Sequence, residues 1–335
     1  MKKWLIYSGA AIASLILLAT FVGVVYEMTS RARAAREFPP QGTLVDIGGR
    51  RMQLDCRGSG SPTVVFESGL DINGSLSWSA VHDEIAKTTR TCAYSRAGIM
   101  WSDPKDGPQN AKTIAEDLHA TLVNAGEKTP FILVGHSLGG PYIVTYTKYF
   151  GSEVAGLVFV DASHPDQVQR FKAVTSYSPS DMISLIKAGV AFAWTGAVRM
   201  VPLATQGVPH QPPRAVQAMA AYAPTSLGPL LKEIESVDQT LAEAGTHRQL
   251  GDRPVSVLSS MAPLPEEALV ALKLTPEQGR QYREIWKEMH AEEASWSSNS
   301  RHQLVADAGH YIQFDRPDIV IDAVKSVVGK VRARR

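Results

Sequence analysis

The run Phe131-Ile-Leu-Val134, followed at once by Gly135-His136-Ser137-Leu138-Gly139-Gly140, constrains this chain more than any other stretch. Phe131–Val134 reads as a short buried strand, and helical spacing follows Gly139 as far as about Tyr149. A strand that turns straight into a helix forms a sharp corner, here with a serine at its tip. Such a corner needs small residues two positions to either side, because a Cβ there would strike neighbouring backbone. Gly135 and Gly139 meet that need. The corner lifts the Ser137 hydroxyl into open space, and the helix opening at Leu138 directs N–H groups and its positive end toward developing negative charge. An inert glycine-rich turn is the bland alternative; the strand before and the helix after favour a nucleophile.

The same alternation extends through the chain. Thr43–Ile47 and Arg51–Cys56 flank Gly48-Gly49 and read as a hairpin. Thr63–Ser68 and Arg90–Ser95 read as strands, separated by a helical stretch around Trp78–Lys87. Ala111–Ala125 sets Ile114, Leu118 and Leu122 at helical spacing. Ala155–Val160 is another buried strand, Pro254–Ser259 and Gln303–Ala306 are later ones, and helical stretches run from about Pro265 to Glu293 and from Pro317 to Arg332. Apolar strands alternating with helices predict an α/β fold, its mostly parallel sheet covered on both faces. Residues 163–251 break the rhythm with helical segments only and are predicted to form a cap. Within them Met182–Val201 is apolar, but Lys187 interrupts it and a membrane span there would split the sheet.

From Trp4 to Tyr26 no side chain is charged. These 23 residues, rising about 1.5 Å each, make roughly 34 Å of helix, enough for a hydrocarbon core of about 30 Å. Lys2 and Lys3 also suit a cleaved secretory signal, but the run is longer than a signal's usual apolar stretch of about 7–15 residues. An uncleaved single-pass anchor over residues 1–28 is therefore expected, then a polar linker over 29–41 ending in Pro39-Pro40, then a folded domain over 42–335. Basic residues lie on both sides of the span (Arg31, Arg33 and Arg36 after it), so charge does not orient it. Over all 335 residues the net charge is +1, with 44% hydrophobic and 20% charged residues, which gives no sign of a nucleic-acid partner. With no H-E-x-x-H, Cys/His cluster or phosphate-binding loop, neither a cofactor nor a metal is implied.

Taken together, Glu67–Leu70 (ESGL), Arg96–Gly98 (RAG), Gly135–Gly140 (GHSLGG), Val160–Pro165 (VDASHP) and Ala308–Pro317 (AGHYIQFDRP) resemble the α/β-hydrolase superfamily. The likeness runs from about Gln41 to the C-terminus and is strongest to bacterial serine esterase- and lipase-like members. It implies an eight-stranded, mostly parallel sheet with a helical cap. It also implies a catalytic triad with Ser137 as nucleophile and His310, in the loop after the last strand, as its base. The acid usually follows the strand after the cap, but Pro254–Ser260 is succeeded by Met261-Ala-Pro-Leu-Pro265. Asp161, ending the strand VFVD, occupies the alternative position and is the expected acid; its other use would be to cap a turn, with Asp166, Glu266 and Glu267 in reserve. Backbone N–H groups of Leu138 and Leu70 are the expected oxyanion hole. Gly69-Leu70 stands where His-Gly is commoner, and Ser95 and Met100 replace the common Asp and Gly.

Two cysteines, Cys56 and Cys92, would by count alone be reduced core residues. The resemblance sets the second strand beside the fourth, which implies a Cys56–Cys92 disulfide and an oxidising compartment, periplasmic or extracellular. The expected function is hydrolysis of a small-molecule carboxylic ester through an acyl-enzyme on Ser137. Relatives that hydrolyse epoxides or haloalkanes use an aspartate nucleophile, so Ser137 argues against both. Thioesterase, peptidase and acyltransferase chemistry of the same fold remain alternatives, as does a non-catalytic binding protein on the scaffold. Met182, Leu185, Val190, Phe192 and Trp194 in the cap suit a hydrophobic acyl or aryl group, or serve mainly as the cap's own core.

Overall fold

The computed structural model describes residues 2–175, 180–201 and 207–334. Its eight strands are β1 (Thr43–Asp46), β2 (Arg51–Arg57), β3 (Thr63–Glu67), β4 (Thr91–Tyr94), β5 (Phe131–His136), β6 (Val154–Val160), β7 (Gly251–Ser260) and β8 (Ser297–Val305). They form one sheet in the order β1-β2-β4-β3-β5-β6-β7-β8. β2 pairs antiparallel with β1 and β4; every other pairing is parallel. This is the α/β-hydrolase sheet.

Strands buried on both faces explain the continuous apolar runs. Successive side chains point to opposite faces. Val65, Leu133, Leu157 and Phe159 accordingly join one core, with Leu118 and Leu122 of helix Ala111–Asn124 and Ile143 and Val144 of helix Gly139–Phe150. Val64, Phe66, Ile132, Val134 and Val158 join the other, under Val320, Val324 and Val328 of helix Pro317–Arg332. β5 and β6 lie at the centre of this sandwich, so their C-terminal ends are rigid platforms.

The 163–251 insertion contains helices Gln167–Phe171, Ser180–Phe192, Pro213–Glu235 and Val237–Gly245, with two short 3₁₀ turns between Ala193 and Met200. The last helix belongs to the body of the domain: Leu241 packs with Ile114 and Tyr142, and Ala244 enters the sheet core. The side chain of Met182 lies outside the described residues. Leu185, Phe192 and Trp194 are each more than half exposed rather than cap core.

Three boundaries differ from expectation. The N-terminal helix runs from Lys2 to Glu37, continuing through most of the expected linker; Ala34 is buried, and Phe38 just beyond is held by the domain's Trp101 and Tyr222. β8 begins at Ser297 rather than Gln303. Its polar Ser297–His302 half lies on the sheet edge, where no apolar periodicity marks a strand. The Pro265–Glu293 stretch divides into helices Glu266–Ala271 and Pro276–Ser295, the second started by a Thr275/Gln278 capping box.

The expected disulfide is present. Cys56 and Cys92 are register partners on β2 and β4, with Cα atoms 4.1 Å apart, and are bonded.

Candidate active site

Ser137 follows β5 directly, at φ +52°, in the left-handed region that a side chain enters only at a cost. Its backbone is secured on both sides: Ser137 N–H donates to Val160 O (3.3 Å), and its carbonyl accepts from Gly140 N–H (2.9 Å) and Ser163 N–H (2.8 Å). A Cβ on Gly135 would lie 2.5 Å from Gly139 O, and one on Gly139 would lie 2.6 Å from Glu67 O. Both collisions are with backbone, so the corner depends on these two glycines. Gly69 is as tight on the other side: a Cβ there would come within 2.8 Å of Ser137 Cβ. That contact brings the loop after β3 against the serine, and Leu70 packs in one apolar cluster with Leu138.

Asp161 ends β6, beside β5, and His310 follows β8. Asp161 is 1% exposed and His310 42%. Oδ2 of Asp161 lies 2.7 Å from His310 Nδ1. Its Oδ1 accepts from Ser260 N–H (2.7 Å) and from the Trp286 indole N–H (2.9 Å). Burial alone would push the Asp161 carboxyl up, but the His310 hydrogen bond and charge, with the Ser260 amide, hold it well below the usual carboxylate range. An ionised carboxylate only accepts, so His310 Nδ1 carries the proton and Nε2 is left as the basic nitrogen. Of the other candidates, Asp166 is taken by Arg248 (2.6 Å), while Glu266 and Glu267 are solvent-exposed. Of these carboxylates, Asp161 is the one that meets His310.

His136 braces the histidine. Its Nε2–H donates to His310 O (2.9 Å) and its ring stands 4.7 Å from the His310 ring. Burial pushes the His136 imidazole down to about 3, so it is neutral. Hydrogen bonds thus link His136, His310 and Asp161 at the C-terminal ends of β5, β6 and β8, and Ser137 is the chain neighbour of His136.

Sequence reasoning missed the layer behind this group. Trp286 and His290 come from helix Pro276–Ser295. His290 Nε2–H donates to Ala162 O (2.8 Å), and the Ser259 hydroxyl lies 2.7 Å from His290 Nδ1 and 2.7 Å from His302 Nε2. Ser259 is fully buried, so this second Ser/His contact is a brace without access for a substrate. A sequence signal existed: Arg283, Trp286 and His290 are three and four residues apart, one buried face of an otherwise charged helix.

Arg96 was read only as part of the RAG motif, with no role assigned to it. Its guanidinium is buried between Glu67 Oε1 (2.8 Å) and both Glu233 oxygens (2.9 and 2.8 Å), and it donates to Ser68 O (2.8 Å) and Gly69 O (2.6 Å). One cation therefore ties the cap helix Pro213–Glu235 to the loop that touches Ser137. Burial pushes the Glu67 carboxyl up to about 7, against the opposing pull of Arg96. The polar continuation of that loop is ordered by Asp71, which accepts from Asn73 N–H (2.8 Å) and Ser77 Oγ–H (3.3 Å). Ser95, at the departure from the common Asp, donates its hydroxyl to Gln53 Oε1 (2.7 Å).

Among the described residues, His164, Asp166 and Glu292 stand close enough to share a cation, but Arg248 and Arg170 already neutralise the carboxylates. The cluster is an ion-pair network.

Residues 54–323 match the model of the alpha/beta hydrolase family. The chain belongs to that family. Like this hydrolase in fold is an esterase from Thermogutta terrifontis, at TM-score 0.61 and 15% identity, over 87% of this chain and 98% of that one. Among curated proteins, the uncharacterised YbdG of Bacillus subtilis is 26% identical over 163 residues, 48% of this chain and 50% of that protein. The Hormonema carpetanum protein named "Probable transporter efuK" is 29% identical over 87% of this chain and 43% of its own length. This hydrolase spans half or less of the length of these curated relatives.

Proposed function

We propose that this hydrolase cleaves a carboxylic ester of a small molecule through an acyl-enzyme on Ser137, with His310 as general base and Asp161 as the acid that orients it. The observation that carries the reading is the 2.7 Å contact of a fully buried Asp161 with His310 Nδ1, beside a serine on a left-handed corner. A serine hydroxyl attacks only when a base removes its proton. With Nδ1–H held by Asp161, Nε2 of His310 takes that proton and later returns it to the leaving alcohol. The carboxylate steadies the imidazolium formed in between. The bond made is Ser137 Oγ to the acyl carbon and the bond broken is the ester C–O; water, deprotonated by the same nitrogen, reverses the first. Backbone N–H groups of Leu138 and Leu70 face the developing oxyanion, and Arg96 fixes the Leu70 loop from behind.

The N-terminal helix, uncharged from Ile6 to Tyr26 and exposed through its first half, anchors the enzyme in a membrane. The disulfide supports placement of the domain in an oxidising compartment, outside the cytoplasm.

The full chain in detergent is expected to hydrolyse p-nitrophenyl esters, with Ser137→Ala lowering kcat/KM by at least about 10³-fold. Equal turnover by the alanine variant would refute the serine mechanism.

A further inference from the structure

The cap carries an apolar surface that the chemistry does not use. Between Ile183 and Val201, the side chains of Leu185, Phe192, Trp194 and Met200 are all more than half exposed. The only charges in the segment are Lys187, which reaches Glu235 (3.0 Å), and Arg199, which donates to Glu27 (2.6 Å). Large apolar groups exposed side by side mark a contact surface.

The register of the N-terminal helix against this segment says what covers it. A Cβ on Gly23 would lie 2.3 Å from Thr195 O, and one on Gly196 would lie 2.9 Å from the Tyr26 ring. The cap thus crosses the helix at residues 23–26, backbone nearly touching backbone. Those residues are the last turn of the uncharged run, and the next residue, Glu27, is buried against Arg199. Where the run ends is where a spanning helix leaves the hydrocarbon for the headgroups. Trp194, one residue from the crossing, joins Tyr26 at the depth where tryptophan and tyrosine concentrate in spanning helices. Val25, Tyr26 and Met28 on the helix are exposed too, so one apolar belt continues from helix to cap. The Lys187 ammonium can reach water while its stem lies along apolar surface.

We propose that residues 183–201 form an interfacial membrane-contact surface, seated in the headgroup and upper acyl region of the bilayer that the N-terminal helix spans. The partner is the lipid surface itself, and the cap is thereby held against it. The proposal rests on the anchor reading given above.

The test uses the full chain in phosphatidylcholine vesicles containing a phosphatidylcholine with a photoactivatable diazirine in its acyl chain. After irradiation and trypsin, lipid adducts are mapped on the Trp4–Arg31 peptide and on the Ala188–Arg199 peptide, which holds Phe192 and Trp194. The expected result is adducts on both. In a Phe192→Asp, Trp194→Asp double variant the Ala188–Arg199 adducts should be lost while those on Trp4–Arg31 persist. Adducts confined to Trp4–Arg31 in the unaltered chain would overturn the proposal and leave the anchor standing. Absence of adducts on both peptides would remove the anchor and the proposal together.

Discussion

Asp161 shows how much a single side chain here depends on its partners. Its Oδ1 is committed to Ser260 N–H and Trp286 N–H, leaving Oδ2 for His310. In Asp161→Asn the amide oxygen stays with those two donors and the NH₂ group turns to His310. That forces Nε2 to carry the proton and removes the base. A loss in kcat of about 10³–10⁴-fold with KM little changed is expected, read by steady-state ester kinetics. Trp286→Phe removes one hydrogen bond to the carboxylate, for which about 1.5–3 kcal/mol is typical, so kcat/KM should fall roughly 10- to 100-fold. An unchanged rate would show that Ser260 N–H suffices. Ser137, Asp161 and His310 were singled out in the sequence because each ends or follows a strand within a motif. Trp286 and His290 were not, since they come from a helix over 120 residues along from Asp161, and only the fold brings them under it.

At the scale of elements, the cation linking the cap to the loop after β3 predicts a pH signature. Glu67 is raised to about 7 by burial, so relative to the unfolded chain its protonated form favours folding. That stabilisation is complete below the unfolded carboxyl range near about 4.3 and is lost as pH rises through about 7. Thermal melting of the unaltered protein should therefore decline from about pH 5 to about pH 8. Glu67→Gln, which keeps an acceptor for Arg96 and cannot ionise, should flatten the decline; an equally steep slope in the variant would place the titration elsewhere. The disulfide joins the β2 and β4 strands across 36 residues of sequence. Closing a loop of that length removes unfolded-chain entropy amounting to about 4 kcal/mol. The Cys56→Ser, Cys92→Ser double variant should lose a similar amount in urea unfolding, and a loss under about 1 kcal/mol would contradict that account. The central strands were readable because burial on both faces makes them uniformly apolar. The polar half of β8 offered no such pattern. The helical course of Thr29–Glu37 was hidden because its support is tertiary: Glu27 is fixed by Arg199 of the cap, and Phe38 by Trp101 and Tyr222.

For the whole molecule, an α/β-hydrolase body, a cap and an N-terminal helix pack as one unit, the helix meeting the cap rather than trailing from a free linker. Leu185, Phe192 and Trp194 were read from sequence as pocket lining or cap core because apolar composition does not say which surface an apolar residue faces. Their placement beside the last turn of the uncharged run gives that exposure a direction. The account as a whole stands on Ser137 being a nucleophile. The most direct measurement is mass spectrometry of the folded protein after reaction with a fluorophosphonate. It should find one adduct, on the peptide containing Ser137, absent in Ser137→Ala and much slower to form in His310→Ala. No adduct on folded protein, or one that persists in Ser137→Ala, would contradict it.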